Sequence, residues 1–186
     1  MIGANFPAVL GLAREGDERA LEVLYRDLAP SLLGYLRVQG AAEPEDVASE
    51  VVISFVRGLS TFEGDEPSFR SWVFTIAHHR LVDERRRLVR RPEEPASAGT
   101  LALVSGAKSN GHVEEEALAN LGAESALEAL GVLTEDQRAV VLLRILIGLS
   151  VADVARVLDK REGAVKTLQR RALARLAAAF STEAVS

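Results

Sequence analysis

Residues 133–176 read LTEDQRAVVLLRILIGLSVADVARVLDKREGAVKTLQRRALARL, and their pattern indicates the fold class. Thr134 and Ser150 are each followed, three residues later, by a side chain that can complete a capping box. Apolar residues then recur at helical spacing in three runs, which are separated by Gly148 and by a turn at 159–161. A short helix, a tight turn and a longer basic helix are typical of a helix-turn-helix unit.

The first ninety residues show the same helical periodicity and predict four more helices. The first should end at Gly16, and the second should begin at Asp17, a suitable N-cap, and continue past a kink at Pro30. Pro44 suits the first turn of the third helix, where its missing N–H costs nothing. The fourth helix should start at 67–68 and run on into a series of arginines. No segment alternates convincingly between apolar and polar residues, so no strand is predicted.

The composition changes between these two helical parts. Residues 92–119 are rich in Pro, Ala, Ser, Gly and Glu and lack a sustained apolar face, which is typical of a flexible linker. We therefore predict an all-α protein with an N-terminal domain at 1–91, the linker at 92–119 and a C-terminal helix-turn-helix domain at 120–186. A helical unit as small as the C-terminal one can still fold alone.

The composition also excludes several classes of function. The chain has 186 residues and no cysteine, which rules out disulfides, thiolate zinc sites and a cysteine nucleophile. Its longest uninterrupted apolar runs are about five residues, whereas a membrane span needs about 20. The first residues lack the basic segment of a signal peptide, so we expect a cytoplasmic protein without membrane insertion.

The net charge of −5 argues mildly against a nucleic-acid partner, but the charges are grouped. Residues 92–137 carry 9 acidic residues and one basic residue, whereas residues 138–180 carry 9 basic residues and 3 acidic ones. Five further arginines lie between positions 85 and 91. Such blocks indicate separate surfaces with separate partners, which the net value conceals.

The last predicted helix carries the strongest functional signal. Glu162, Lys166 and Arg170 lie at i, i+4 and i+8 on one face, with Thr167 and Arg171 beside them. In a helix-turn-helix this helix enters the major groove, where Lys and Arg donate to guanine or phosphate, Glu accepts from cytosine and Thr contacts the thymine methyl. The alternative is a solvated charged face on a plain helical hairpin. The tight turn, the two capping signals and the opposed apolar stripe favour DNA reading.

A second basic surface is predicted at the end of the fourth helix. Arg85, Arg86 and Arg87 begin the run of five arginines, which suits phosphate binding. The helix dipole alone would explain one or two cations at a C-terminus, but not five. Just upstream, Phe62 and Trp72 could offer a stacking surface to unpaired bases, although we favour a core position for Trp72.

Two polar groups raise the question of metal binding. His79 and Asp83 lie four residues apart on one helical face beside His78, but a catalytic zinc site needs three protein ligands and no second pair is apparent. The acidic residues between positions 43 and 50 could form a carboxylate cluster, yet the first turns of a helix favour acidic residues in any case. We predict no metal, no cofactor and no catalytic residue.

Two blocks of this sequence resemble a known family. Residues 43–87, EPEDVASEVVISFVRGLSTFEGDEPSFRSWVFTIAHHRLVDERRR, are similar to the second-region core of bacterial RNA polymerase sigma factors of the extracytoplasmic-function (ECF) group. Residues 133–176 resemble the fourth region of the same family. The blocks occur in the family's order, and only the linker between them is unmatched.

The resemblance implies three binding surfaces. The first would dock on the clamp helices of the largest polymerase subunit, through Asp46, Val47, Glu50, Phe55 and Arg57. The second would capture the minus-ten promoter element with a flipped non-template base, through Phe62, Ser68, Arg70, His78, His79, Asp83, Arg85, Arg86 and Arg87. The third would read the minus-thirty-five element as a duplex, through Arg161, Glu162, Lys166, Thr167, Arg170 and Arg171.

The family further implies a promoter-specificity subunit without a catalytic site, whose partners are core RNA polymerase, promoter DNA and an inhibitory anti-sigma factor. Two other classes stay open from the residues alone. A stand-alone helix-turn-helix regulator would bind operators as a dimer without polymerase, and it leaves the N-terminal part unexplained. A metal-dependent nuclease or hydrolase would use His78, His79 and Asp83 and would show metal-dependent turnover.

Overall fold

The computed structural model describes residues 1–90 and 130–183, and both ranges consist of helices and turns without a strand. The N-terminal part, residues 1–90, has four α-helices: α1 (Phe6–Arg14), α2 (Glu18–Val38), α3 (Pro44–Gly58) and α4 (Glu66–Arg90). Short 3-10 turns precede α1 at Gly3–Asn5 and follow α3 at Leu59–Thr61. The predicted all-α class is confirmed. The predicted linker and the flanking residues 91 and 120–129 lie outside the described residues.

The helix boundaries in this part follow local sequence signals. Gly16 adopts a positive φ of 88°, and the Asp17 side chain then caps α2 by accepting from the Ala20 N–H at 2.8 Å. Pro44 occupies the first turn of α3, as predicted. Pro30 lies inside α2, which continues on both sides of it as one helix.

Aromatic rings form the centre of the N-terminal core. Phe69 of α4 is 2% exposed and has four rings around it. Its centroid lies 5.6 Å from Phe6, 5.8 Å from Phe55, 5.6 Å from Phe62 and 6.1 Å from Trp72. This cluster joins α1, α3 and the loop before α4 to α4 itself, and it therefore fixes where that loop lies.

The C-terminal part, residues 130–183, contains the predicted helix-turn-helix. Its elements are α5 (Glu135–Val141), a π-helical turn (Leu142–Leu146), α6 (Val151–Val157) and α7 (Glu162–Glu183). Both predicted capping boxes are present, at Thr134 with Gln137 and at Ser150 with Asp153. The turn before α7 places Asp159 at a positive φ of 50°, which short polar residues tolerate better than most.

The π-helical turn was not predicted from the sequence. The Ile147 N–H donates to the Leu142 carbonyl at 3.1 Å, five residues back, so the backbone is wider here than in an α-helix. Leu143 and Ile147 stay buried, whereas Ile145 and Leu146 are 64% and 57% exposed. The segment ends at Gly148, whose φ of +77° suits glycine, as the sequence indicated.

The two parts pack against each other along α4 and α6. Buried residues from both parts belong to one continuous apolar cluster, which includes Leu81 of α4 and Val154 of α6. A smaller cluster around Ala172 joins α7 to α5. Across the two described ranges, the helices are either too short or too polar to cross a membrane.

Candidate nucleic-acid and protein-binding surfaces

The first turns of α7 present a basic face to solvent. Its exposed residues are Arg161, Glu162, Lys166, Arg170 and Arg171. Val165 and Ala172, on the opposite side, are fully buried. No carboxylate of residues 1–90 or 130–183 forms an ion pair with Lys166 or Arg170. The face therefore carries uncompensated positive charge, which suits phosphates and the acceptor groups of the major groove.

The remaining predicted residue of this face, Thr167, is half-buried. Its hydroxyl donates to the carbonyl of Gly163 at 2.9 Å, so the hydroxyl is engaged within the helix. The turn before α7 is also well held, because the Lys160 N–H donates to the Ala155 carbonyl at 2.9 Å and the Lys160 ammonium pairs with Asp136 at 3.0 Å. The start of α7 is thereby fixed in its orientation to α5 and α6.

Helix α4 separates its predicted residues into an outward set and a covered set. The outward residues are His79, Asp83, Arg86 and Arg87, all of which are exposed. Asp83 and Arg86 form a loose ion pair at 3.6 Å on this side. Arg70, His78 and Arg85 belong to the covered set, and each has its own partners. Among the predicted α4 residues, the outward set is the one whose side chains are exposed to solvent.

Arg70 lies inside the N-terminal part and is 8% exposed. Its guanidinium pairs with Asp27 and lies 3.6 Å from Glu66. Glu66 in turn accepts the backbone N–H groups of Ile2 at 2.9 Å and of Gly3 at 2.8 Å. Arg70 therefore links α2 and the first residues of the chain to the start of α4, and its guanidinium is buried rather than exposed to a DNA strand.

His78 is partly buried, and its Nδ1 lies 3.0 Å from the Tyr35 hydroxyl. The pKa of His78 is lowered to about 4, mainly by burial and to a smaller extent by nearby cationic side chains. Burial likewise raises the pKa of Tyr35 to about 12. The charged or titratable groups that face His78 are Tyr35, His79, Arg85, Asp136 and Lys160. His78 is therefore neutral in the folded protein at neutral pH.

Acidification from pH 7 to pH 5 is expected to lower the free energy of unfolding by about 2 kcal/mol through His78. Because the pKa of His78 is about 4 in the folded chain and near 6.5 in the unfolded chain, the unfolded chain binds more protons between these values. This contribution is complete above pH 6.5 and is lost as the pH falls toward 4. Urea unfolding followed by circular dichroism at both pH values measures it.

The matched variants are His78→Gln and His79→Gln. The His78→Gln protein should lose about 2 kcal/mol of the pH dependence, whereas His79→Gln should keep most of it, because burial of His78 is the largest cause of its lowered pKa. An unchanged pH dependence in His78→Gln would contradict the assignment.

Arg85 is half-buried between the two parts of the protein. One nitrogen donates to the backbone carbonyl of Gln39, and another pairs with Glu135 at the start of α5. Burial lowers the pKa of Arg85, and the neighbouring Arg138 adds to that effect. Arg85 is thus occupied within the protein rather than free for phosphate.

The loop before α4 rests on a stacked aromatic pair. Phe62 and Trp72 lie 5.0 Å apart with an interplanar angle of 16°, and both rings are half-buried. The loop end is ordered by Asp65, whose carboxylate accepts the Ser68 N–H at 2.9 Å. Hydrogen bonds from the side chain and the backbone of Ser68 lower the pKa of Asp65. The core position favoured for Trp72 is therefore only partly correct, because its ring packs against the core but is only half-buried.

Helix α3 divides its predicted residues in the same way. Asp46, Glu50 and Arg57 are exposed, whereas Val47 and Phe55 are buried at 7% and 1% exposure. The buried side chains of Val47 and Phe55 pack α3 onto the core of the N-terminal part.

The exposed side of α3 also carries two apolar residues that the sequence reasoning missed. Ile53 is 51% exposed and Val56 is 39% exposed, and both lie away from the face that Val51 buries. The sequence did contain a signal, since 51–56 holds five apolar residues in six and a helix facing only its own core needs fewer. We name Asp46, Glu50, Ile53, Val56 and Arg57 the α3 surface.

The metal-binding alternatives require several ligand side chains to meet at one point. In the described ranges, no three His, Asp or Glu side chains converge as ligands for an ion. The rings of His78 and His79 lie 6.4 Å apart and tilt by 48°, with His78 turned toward Tyr35.

Comparison with known families covers both parts of the chain. Residues 24–91 match the family profile described as Sigma-70 region 2, and residues 123–176 match the profile described as Sigma-70, region 4. The region 2 match contains α3 and α4, and the region 4 match contains α5, α6 and most of α7.

Similar proteins are found over most of the chain. The ECF RNA polymerase sigma factor ShbA of Streptomyces griseus is 32% identical over 178 residues, which are 92% of this chain and 93% of that protein. The ECF RNA polymerase sigma factor BldN of Streptomyces coelicolor is 34% identical over 89% of this chain, which spans 62% of its length. A solved sigma factor RpoE from Bartonella quintana, in complex with the anti-sigma factor NepR, has the same fold, with a TM-score of 0.63 and 19% identity over 83% of this chain and 92% of that one.

Proposed function

This chain belongs to the ECF family of RNA polymerase sigma factors, and from that membership we propose that it joins core RNA polymerase and directs it to a promoter. One observation carries the proposal. Two matched regions occur in the family's order within one chain, and each exposes a surface of its own chemistry. The α3 surface is acidic and apolar, whereas α4 and α7 expose basic residues.

The α3 surface is the proposed docking site for polymerase. Ile53 and Val56 supply apolar area that a partner would cover, and Asp46, Glu50 and Arg57 surround them with charge. This arrangement, an apolar centre with a polar rim, is typical of protein interfaces. Val47 and Phe55, which the family pattern includes, act here by packing the helix onto its neighbours.

The loop at 62–68 and the outward side of α4 form the proposed minus-ten surface. The Phe62–Trp72 stack offers an aromatic edge to an unpaired base, and aromatic stacking suits single-stranded DNA of any sequence. His79, Asp83, Arg86 and Arg87 would line the adjacent strand. Arg70 is given a supporting role, because it fixes the start of α4 through Asp27 and Glu66.

The basic face of α7 is the proposed minus-thirty-five surface. Arg161 directly precedes the second helix of the helix-turn-helix, and Glu162, Lys166 and Arg170 lie in its first three turns, where such proteins contact base edges. Thr167 contributes through its methyl group, since its hydroxyl bonds to Gly163.

Charge explains why such a protein would need polymerase. The free chain has a net charge of −5, so its acidic surfaces weaken binding to DNA. Docking on polymerase covers the α3 surface, and two weak DNA readers held at fixed spacing gain from effective concentration. The proposed role is to position polymerase and DNA rather than to catalyse a reaction, and its place is the bacterial cytoplasm. An anti-sigma factor is the proposed inhibitor, by analogy with the RpoE–NepR complex.

The test is run-off transcription with bacterial core polymerase on a promoter library. We expect promoter-directed transcripts only when this protein is present. On a selected promoter, the double variant Lys166→Ala, Arg170→Ala should reduce transcript by at least about 30-fold, because it removes two base contacts that cost about 1–3 kcal/mol each.

Arg156→Ala is the matched control, since Arg156 is exposed in the same part of the chain but pairs with Asp153. It should leave transcription unchanged. If no promoter-directed transcript appears and the protein alone binds duplex DNA tightly, the proposal is wrong. The protein would then be a stand-alone helix-turn-helix regulator.

A further inference from the structure

Gly58, the last residue of α3, lies against the indole ring of Trp72. A Cβ atom added at Gly58 would lie 2.8 Å from Trp72 Cζ2 and 3.0 Å from Trp72 Cη2. Carbon atoms in van der Waals contact are about 3.5–4.0 Å apart, so a methyl group at this position would displace the ring by about 1 Å. The indole ring therefore reaches its observed position because residue 58 has no side chain.

The backbone at Gly58 does not itself require glycine. Its φ of −87° and ψ of −5° match the third residue of a type I turn, a conformation that most residues adopt. Glycine also loses more conformational freedom on folding than any other residue, so its use here has a cost. The close approach of Trp72 is the feature of this position that calls for glycine.

The 3-10 turn that follows Gly58 fixes the second ring of the stack. The Thr61 hydroxyl donates to the Gly58 carbonyl at 3.1 Å. The Phe62 N–H donates to the Leu59 carbonyl at 3.2 Å, and the chain thereby returns to Trp72, on which the Phe62 ring stacks at 5.0 Å. Both ends of this turn therefore contact the same indole ring.

The Phe62 ring lies against a glycine as well. A Cβ atom added at Gly64 would lie 3.0 Å from Phe62 Cζ and 2.9 Å from Ser68 Cβ. Among the glycines of residues 1–90 and 130–183, Gly58 and Gly64 alone would bring an added Cβ within 4 Å of a side chain other than those of their chain neighbours. The crowding is therefore specific to the Phe62–Trp72 stack.

We propose that Gly58 is a positioning residue for the minus-ten surface, because its missing side chain sets how deeply Trp72 is seated and Trp72 sets the plane in which Phe62 meets an unpaired base. The proposal rests on the function proposed above and adds a residue that acts through another side chain. A gap of about 0.5–1 Å forfeits a quarter to a half of the dispersion attraction between two groups. Displacing the indole by such a distance therefore weakens the stacking of a base.

A double-mutant cycle tests the contact in the free protein. Gly58→Ala should lower the folding equilibrium constant by about 5- to 100-fold, as overpacking usually does. In the Trp72→Phe background the same substitution should cause no loss, because phenylalanine lacks the two indole atoms that face Gly58. Urea unfolding followed by circular dichroism measures both changes. An equal loss in the two backgrounds, or failure of the double variant to fold, would overturn the positioning role.

Base capture is tested with the complete polymerase complex on a promoter selected by run-off transcription. The unpaired positions of the minus-ten element are replaced one at a time by an abasic site, and binding is followed by the anisotropy of a dye on the DNA. Loss of the captured base should weaken binding of the parent by about 5- to 100-fold, the usual contribution of one stacked base. In Gly58→Ala this abasic penalty should shrink by about threefold or more, because the base is already poorly stacked.

Gly34→Ala is the matched control, since Gly34 is a half-buried glycine of α2 with no neighbouring atom within 4 Å of an added Cβ. It should keep the abasic penalty of the parent. An unchanged penalty in Gly58→Ala would overturn the proposal while leaving promoter-directed transcription, and with it the proposed function, intact. A parent without an abasic penalty at any position would also overturn it, because the stack would then hold no base. Absence of promoter-directed transcription would instead count against the function, and the unfolding cycle would still decide whether Gly58 seats Trp72.

Discussion

Replacing Phe69 with alanine is expected to lower the free energy of unfolding of the N-terminal part by about 3–5 kcal/mol. The side chain is 2% exposed and contacts four aromatic rings, so its removal forfeits both burial and ring contacts. The cavity would lie between α1, α3 and α4, and these helices cannot close it without moving relative to one another. A loss of that size is a large share of the roughly 5–15 kcal/mol that stabilises a typical domain.

The effect should reach the proposed minus-ten surface. The ring centroids of Phe62 and Trp72 lie 5.6 Å and 6.1 Å from that of Phe69. Removal of the Phe69 ring therefore removes packing contacts that hold the loop at 62–68 in place. Urea unfolding followed by circular dichroism gives the change in stability. Phe180→Ala is the control, because Phe180 is the same residue type at 50% exposure on α7. A Phe69→Ala protein within about 1 kcal/mol of the parent would contradict the central role of this ring.

Replacing Ile53 with aspartate is expected to weaken binding to core polymerase by at least about 10- to 100-fold, with little change in stability. Burying an isoleucine side chain contributes about 1.5–3 kcal/mol, and an unpaired carboxylate in its place adds a desolvation cost. The free protein tolerates the change, because Ile53 is 51% exposed on the side of α3 away from Val51. The variant should also fail in run-off transcription at limiting polymerase.

Fluorescence anisotropy of a labelled protein titrated with core polymerase measures this change. Val23→Asp is the matched control, since Val23 is an aliphatic residue of similar exposure, 43%, on α2. It should bind like the parent. Equal affinities for the parent and Ile53→Asp would remove the apolar centre from the proposed α3 surface.

The features that sequence reasoning predicted correctly depend on neighbours in sequence. The capping boxes at Thr134 and Ser150 join residues three apart, and the turn at Gly148 depends on one residue's backbone freedom. Helical periodicity predicted the helices for the same reason, and Val51 and Val165 lie buried within them. The residue pattern alone was therefore enough to locate the helix-turn-helix closely.

The features that sequence reasoning missed depend on contacts between residues that are distant in sequence. Arg70 has the residue type of a phosphate binder, and only the position of Asp27, 43 residues earlier, shows that its guanidinium is already paired. Arg85 is similar, because its partner Glu135 lies in the other part of the chain. A run of apolar residues predicts burial, but it does not indicate that a π-helical turn leaves Ile145 and Leu146 exposed.

The aromatic stack at the loop has a practical consequence. Trp72 is the chain's single tryptophan, so all indole fluorescence of this protein comes from one position. That position lies 5.0 Å from Phe62, beside the loop that is proposed to hold a flipped base. A base that stacks there would quench or shift the indole emission directly, whereas binding events far from Trp72 would leave the emission unchanged. Trp72 is therefore an intrinsic optical probe of the proposed minus-ten surface.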